Sequence, residues 1–317
     1  MAAPIKIGVV GIGKIARDEH LPVLALNPDF QLAAVASRHA CVADVPSYPS
    51  VEAMLAAHPE LDAVAFCTPP QDRHAQAALA LRAGKHVLLE KPPGATLAEV
   101  EDLRSLADAQ GLSLFATWHS RFAPSVEPAR AWLATRKVKS VRIEWREDVR
   151  HWHPGQAWIW EAGGLGVFDP GVNALSIATH ILPPFFLAEG ELRFPENRDA
   201  PISAELNFAT SDGAPIIASF DWLQTGPQTW DIRVETDDGV LILSKGGSEM
   251  RVEGQSAAGQ GAVAAAVVDL HAEYAGIYRR FATLVREGRC DVDISPFRHV
   301  ADAFLRGRRV QVERFDD

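Results

Sequence analysis

An apolar run, Ile5–Val10, breaks off into Gly11-Ile12-Gly13-Lys14-Ile15-Ala16, and a helix-compatible segment from Ile15 to Leu26 follows. Few local patterns leave a chain so little choice of fold. The first glycine of such a turn permits the tight bend, and the second lets backbone approach a pyrophosphate. The third small residue, here Ala16, lets the helix pack close to its strand. Free N–H groups at the start of that helix carry a partial positive charge suited to phosphate. The string alone arises by chance; its place between a strand and a helix, at the head of an alternating domain, gives it meaning. Gly11, Ile12, Gly13, Lys14 and Ile15 are therefore candidate contacts for a dinucleotide.

The alternation continues. Strand signals at Gln31 to Ser37, Asp62 to Thr68, His86 to Glu90 and Leu112 to Trp118 are separated by helix signals at Val51 to Ala57, Gln71 to Ala83 and Thr96 to Gln110. Short apolar strands alternating with helices imply a doubly wound parallel sheet covered on both faces. After residue 120 the rhythm changes. A helix at Ser125 to Thr135 precedes strand signals at Ser140 to Val149, Glu191 to Phe194, Ile202 to Ala209, Ile216 to Leu223, Thr229 to Thr236 and Val240 to Ser244. Asp238-Gly239 marks a hairpin. Helix signals fall at Pro170 to Ile181, Tyr274 to Glu287 and Pro296 to Arg306, and the Gly- and Ser-rich stretch Gly246 to Gly261 reads as a surface loop. The expected architecture is α/β: a Rossmann domain over 1–120, then an α+β domain over 121–317 with an open, mostly antiparallel sheet. Its last helix is expected to pack back on the first domain.

Composition narrows the function. The 317 residues suit two domains at about 150 residues each. A formal charge of -10 disfavours nucleic acid. The three cysteines, Cys41, Cys67 and Cys290, have no metal or redox spacing and read as reduced thiols. The N-terminus carries no signal-peptide pattern, and the longest bland apolar run, Ala262 to Val268, is far short of a membrane span. A cytoplasmic protein is expected, and a homodimer through the second sheet is compatible with the common symmetry of such chains.

About 20 residues past the glycine turn, an acid would bind a free ribose 2′-hydroxyl. Ser37-Arg38-His39 stands there instead. Arg38 can grip a 2′-phosphate with its guanidinium fork, with Ser37 and His39 beside it, so NADP is the expected cofactor, with NAD also accepted. Arg38 stacked on adenine, discriminating little, is the alternative.

The loop at Gly11 to Ala16, Cys67-Thr68-Pro69-Pro70, Glu90-Lys91-Pro92 and Gly164 to Asn173 together resemble the glucose-fructose oxidoreductase and inositol dehydrogenase (Gfo/Idh/MocA) family over essentially the whole chain. Trp118-His119-Ser120-Arg121 and Trp152-His153-Pro154-Gly155-Gln156 are most similar to its bacterial L-arabinose/D-galactose 1-dehydrogenase branch. The resemblance implies oxidation of an aldopyranose at C1 to a lactone. It also implies a cis Lys91–Pro92 bond and cofactor contacts from Cys67, Thr68, Pro69, Pro70, His74, Glu90 and Lys91. Many family members have histidine where this chain has Asn173, so a histidine base is not carried over.

Lys91 follows an apolar strand at the edge where open α/β sheets bind ligands. Its ammonium suits an oxygen on which charge develops; the alternative is a solvated lysine paired with Glu90. Asp169 is the candidate general base and Asn173, four residues on, an orienter of hydroxyls. Two alternatives stand: Asp169 as helix N-cap before Pro170, and neutral Lys91 as the base. Gly163, Gly164 and Gly166 upstream are expected to let backbone approach a ligand. Glu147 ends the apolar face of its strand, so it either lies at a sheet edge or faces a polar ligand. Trp118, Trp145, Trp152, Trp158 and Trp160 can pack on a sugar's C–H face, Trp152 best of them. His119 and His153 are candidate hydroxyl partners. His151 and His153 lack a third ligand at metal spacing, so no metal is expected. The reading requires Lys91 and Asp169 to act on one carbon. Rival readings are a related oxidoreductase acting on a cyclitol or deoxysugar, and a non-catalytic NADP-binding regulator.

Overall fold

The computed structural model describes residues 3–254 and 270–316, and these form two compact units. The first contains the chain up to His119 together with Leu270–Ile294; the second contains the remainder of the described residues. The boundary expected near residue 120 thus needs one correction. The segment that joins the first unit is the penultimate helix, not the last.

Strands β1 (Ile5–Val10), β2 (Phe30–Ala36), β3 (Ser47–Tyr48), β4 (Ala63–Phe66), β5 (His86–Leu89) and β6 (Leu114–Ala116) form a parallel sheet in the order 3-2-1-4-5-6. The order reverses between β1 and β4, the switch point at which such sheets bind ligands. Strand residues are apolar in both directions because helices cover both faces. Val64, Phe66, Val87 and Leu89 pack with α2 (Val51–Ala57), α3 (Arg73–Arg82) and α4 (Leu97–Gln110). Phe115 of β6 and Phe30 of β2 stack on Phe281 from the returning helix. Helix α4 starts on a capping box, Thr96 with Glu99, and stops at Gly111 in the left-handed conformation.

In the second unit, α5 (Val126–Leu133) leads into a mixed sheet of eight strands among the described residues. These are β7 (Val138–Arg146), β8 (Phe185–Pro195), β9 (Ser203–Thr210), β10 (Pro215–Asp221), β11 (Thr229–Thr236), β12 (Val240–Ser244), β13 (Glu249–Glu253) and β14 (Arg308–Val312), in the order 13-12-11-7-10-9-8-14. Only β7–β10 and β8–β14 pair in parallel. Val141, Ile143 and Trp145 are buried while Arg142, Glu144 and Arg146 are not, as their two-residue period requires. One face is covered by α7 (Phe168–Ile181) and α9 (Ser295–Arg306), which follow the short α6 (Val149–Trp152) and the returning α8 (Leu270–Glu287) in chain order. A Cβ at Gly171 would stand 3.2 Å from the Phe220 ring, so this glycine lets α7 lie close on the sheet.

Part of the stretch expected as a loop is strand: Glu249–Glu253 is β13, paired with β12. Residues 255–261 of that stretch and the run Ala262 to Val268 lie outside the described residues. Among the described residues no helix is long and apolar enough to cross a membrane.

Candidate active site

In the first unit the glycine turn is built as its chemistry requires. Gly11 has φ +89°, and a Cβ there would lie 2.8 Å from the backbone nitrogen of Thr68. It must be glycine for the strands' ends to meet. Gly13 has nothing within 4 Å of where a Cβ would stand, leaving its backbone open to a ligand. Ala16 is fully buried. Beside the turn, the Thr68 hydroxyl oxygen is buried without a hydrogen-bond partner. An open glycine and an unused buried hydroxyl fit a dinucleotide. Arg38 and His39 are exposed just past β2 and Ser37 is half-buried. Lys14 pairs with Asp18, and His74 on α3 with Asp102 on α4 at 2.8 Å. Cys67 and Thr68 are half-buried, Pro69 exposed and Pro70 buried.

The segment that carries Lys91 is held from both sides. The Lys91–Pro92 bond is cis. Arg73, 2% exposed, sends its guanidinium to the backbone oxygens of Thr68, Glu90 and Pro92. The lysine's own N–H donates to Glu90 Oε2 at 2.8 Å. Glu90 therefore meets the backbone of Lys91. Its other oxygen, Oε1, accepts from the Tyr274 hydroxyl at 2.7 Å and lies 3.2 Å from His20 Nε2.

Glu90 and His20 are a buried ion pair. Burial pushes the Glu90 carboxyl up, but His20, His119 and Tyr274 more than offset this and hold it at about 2. Burial also opposes the charged imidazole, yet Cys67, Tyr278 and Glu90 raise His20 well above its ordinary value. The two partners give opposite signs against pH. Glu90 contributes stability that is fully present above pH 4.5 and is lost as pH falls toward about 2. His20 contributes stability that is fully present below pH 6.5 and is lost as pH rises through its raised folded value. The pair should therefore stabilise most between pH 4.5 and 6.5. Urea unfolding of the parent and of a His20→Leu/Glu90→Leu variant from acid to alkaline pH should show a stability difference that peaks there. A difference independent of pH contradicts the assignment.

His119 turns Nδ1 to Glu273 at 2.7 Å and stacks on Tyr274. Helix α8 thus brings Glu273, Tyr274 and Tyr278 to the same buried polar group.

The second unit gathers most of the expected substrate residues. Glu147, 2% exposed, stands one residue past β7. Because β11 and β10 flank β7, Glu147 is not at a sheet edge, and the first of its two readings is set aside. Trp230 Nε1 donates to Glu147 Oε2 at 2.9 Å. His153 lies between two carboxylates, with Nε2 3.5 Å from Glu147 and Nδ1 3.7 Å from Asp169. The longer separation exceeds a hydrogen bond, so these groups are charge neighbours gathered at one place. Indoles line it: Trp152 and Trp230 rings are 5.1 Å apart, and Trp222 lies 5.3 Å from the His153 ring. Trp160 packs on Trp222, and Trp145 stacks on Trp230.

Asp169 is buried inside the first turn of α7, whose N-cap is Val167, so the N-cap reading is corrected. Asn173, half-buried, follows one turn later. Two of the upstream glycines are needed for close packing: a Cβ at Gly164 would lie 2.3 Å from the Trp158 carbonyl, and at Gly166 2.3 Å from that of Pro201. Arg73, Tyr274, Trp222 and Trp230 were not singled out from sequence. Strand register alone reveals Trp230, which sits opposite Trp145. Among the described residues no group of three His, Cys, Asp or Glu side chains could hold a metal ion.

Residues 5–117 match the model of an oxidoreductase family with an NAD-binding Rossmann fold, Gfo/Idh/MocA. The chain is 45% identical to galactose 1-dehydrogenase of Pseudomonas fluorescens over 99% of both chains. It is 32% identical to trans-1,2-dihydrobenzene-1,2-diol dehydrogenase of Bos taurus over 56% of each. Its structure superposes on the crystal structure of D-galactose-1-dehydrogenase from Rhizobium etli with a TM-score of 0.91 and 55% identity, covering 100% of this chain and 99% of that one. A 3-ketoreductase from Actinomadura kijaniata, solved with NADP, shares the fold at a TM-score of 0.82 and 22% identity.

Proposed function

The chain belongs to the Gfo/Idh/MocA oxidoreductase family, and from that premise we propose that it oxidises an aldopyranose of the galactose and arabinose type at C1, giving the aldonolactone and reduced NADP. The observation that carries this reading is the grouping of Glu147, His153 and Asp169 near the partly exposed Trp152 and Trp230. Indole faces suit the C–H surface of a pyranose, and carboxylates accept from its hydroxyls. The 45% identity with a galactose 1-dehydrogenase supports the same substrate class.

NADP, when bound, supplies the acceptor for the hydride. The chain's residues do the rest. Gly13, with open space about it, and the helix start beyond would hold the pyrophosphate, and the exposed Arg38 would hold the 2′-phosphate. Lys91 donates to the C1 oxygen and steadies the charge that develops as its proton leaves. Asp169 takes that proton, Asn173 fixes a hydroxyl, and Glu147 accepts from others. His119 and His153 are further hydroxyl partners in this reading.

The test is a panel of D-galactose, L-arabinose, D-fucose, a cyclitol and a deoxysugar, followed by NADPH absorbance. Turnover of the aldoses supports the reading; turnover of the cyclitol alone contradicts it. For the cofactor, NADP should be used at least as well as NAD. Arg38→Ala should then lower kcat/KM for NADP by about 10- to 100-fold, the worth of charge-assisted hydrogen bonds to a phosphate, and leave NAD little changed. Parallel steady-state kinetics with both cofactors checks this. Equal losses for the two would assign Arg38 to adenine stacking.

A further inference from the structure

Lys91 is reached from the rest of the unit by a chain of buried hydrogen bonds that no step of the reaction uses. The π-helical turn Ala16–His20 follows the glycine turn and brings His20 into the core, where it is 0% exposed. A π-turn widens the helix by a residue and re-aims the side chains within it. Its imidazole spans two partners, Tyr278 at 2.7 Å from Nδ1 and Glu90 at 3.2 Å from Nε2. Tyr274, also fully buried, donates to the same Glu90 oxygen at 2.7 Å. With Oε1 so engaged, Oε2 is directed at the Lys91 N–H, 2.8 Å away.

We propose that His20 and Tyr274 are positioning residues for Lys91: they fix the Glu90 carboxylate, and Glu90 in turn clamps the lysine's backbone amide. The proposal rests on the assignment of Lys91 to the C1 oxygen and deepens it. The geometry makes the clamp two-sided. Arg73 holds the carbonyls of Glu90 and Pro92, and Glu90 holds the only N–H between them, since Pro92 has none. A backbone gripped at successive peptide groups fixes the point from which the Lys91 side chain starts. Misplacement of a reacting group by about 1 Å can cost 10²-fold in rate, so a device of this kind has kinetic weight.

The charges agree with the geometry. Glu90 remains ionised because the groups around it offset its burial, and His20 remains protonated. With both ring nitrogens carrying hydrogen, His20 donates to Tyr278 and to Glu90 at once. Removing the imidazole strands a buried carboxylate, which then takes a proton or turns away; either change releases the Lys91 amide.

The test uses the full-length protein in two variants, His20→Leu and Tyr274→Phe. The second removes one hydroxyl and keeps the ring, so it decides the matter should the first fail to fold. Amide exchange of Lys91, read by NMR against the amides of Val87, Leu88 and Leu89, should rise by roughly fivefold in Tyr274→Phe, about what one hydrogen bond is worth, and further in His20→Leu. kcat should fall by about 10- to 100-fold in His20→Leu, with NADPH affinity unchanged. The deuterium isotope effect on kcat with C1-deuterated galactose should grow, since the chemical step becomes slower than product release. A loss of folded enzyme alone would lower kcat without moving the isotope effect. His20→Gln, which keeps a donor toward Glu90, should recover part of the loss. Unchanged Lys91 exchange in Tyr274→Phe overturns the clamp, as does an isotope effect that stays at the parental value in the slowed variants. No turnover of any aldose by the parent would instead defeat the reaction assigned above, while amide exchange still decides the clamp.

Discussion

Lys91→Met should turn over D-galactose about 10³-fold more slowly than the parent. Methionine keeps most of the hydrocarbon stem and removes the ammonium. The backbone contacts that organise this segment come from Arg73 and from the Glu90 carboxylate, and none of them involves the lysine side chain. Folding should therefore survive, and the loss should fall on kcat. Loss of a single donor to a developing oxyanion typically costs 10²–10³ in rate, and a full charge belongs at the upper end. Steady-state kinetics with a melting curve checks this. A folded variant that keeps more than about a tenth of kcat would remove Lys91 from the chemistry.

Asp169→Asn is expected to lower kcat by about 10²–10⁴, the usual cost of losing a general base. The substitution preserves shape and keeps one acceptor oxygen, while the other becomes a donor NH2. Because the N-cap of α7 is Val167, the change does not remove a cap. It does remove a negative charge from the first turn, which costs about 0.3–1 kcal/mol of stability, too little to account for a kinetic effect of that size. His153, 3.7 Å from Asp169, also loses a charge neighbour, so KM should rise modestly beside the fall in kcat. Measured kcat, KM and Tm together separate these effects. Retention of more than about a tenth of kcat would pass the base to Lys91 in its neutral form.

Much of this was legible in the chain, for identifiable reasons. The strand runs Ile5–Val10 and Thr229–Thr236 and the helix Val51–Ala57 coincide with the observed elements, because each combines a clear apolar period with a sharp turn signal. Glu147 was marked by parity alone, and its burial at the end of β7 follows from it. What escaped depended on contacts between distant residues. Strand β8 begins at Phe185, well before the run expected from Glu191, because Ala188 and Gly190 weaken its local preference while pairing with β9 supplies it. Strand β14, Arg308–Val312, is rich in arginine and exists by pairing with β8 at the sheet's edge. Glycine and serine around residue 247 concealed β13 in the same way. The return of α8 to the first unit is invisible in its amphipathic pattern, which fits any apolar surface. Its consequences for the site, Tyr274 and Tyr278 beside His20 and Glu90, were hidden with it. Trp222 and Trp230 read as ordinary strand residues until register set them beside His153 and Glu147.

The account turns on hydride leaving C1 of an aldose. Oxidation of D-galactose carrying deuterium at C1, with NADP and an NMR spectrum of the reduced nucleotide, tests that directly. Deuterium at C4 of the nicotinamide ring, with unlabelled cofactor from sugar deuterated at any other carbon, is the result expected. Label arriving from another carbon, or none from C1 despite turnover, would contradict it.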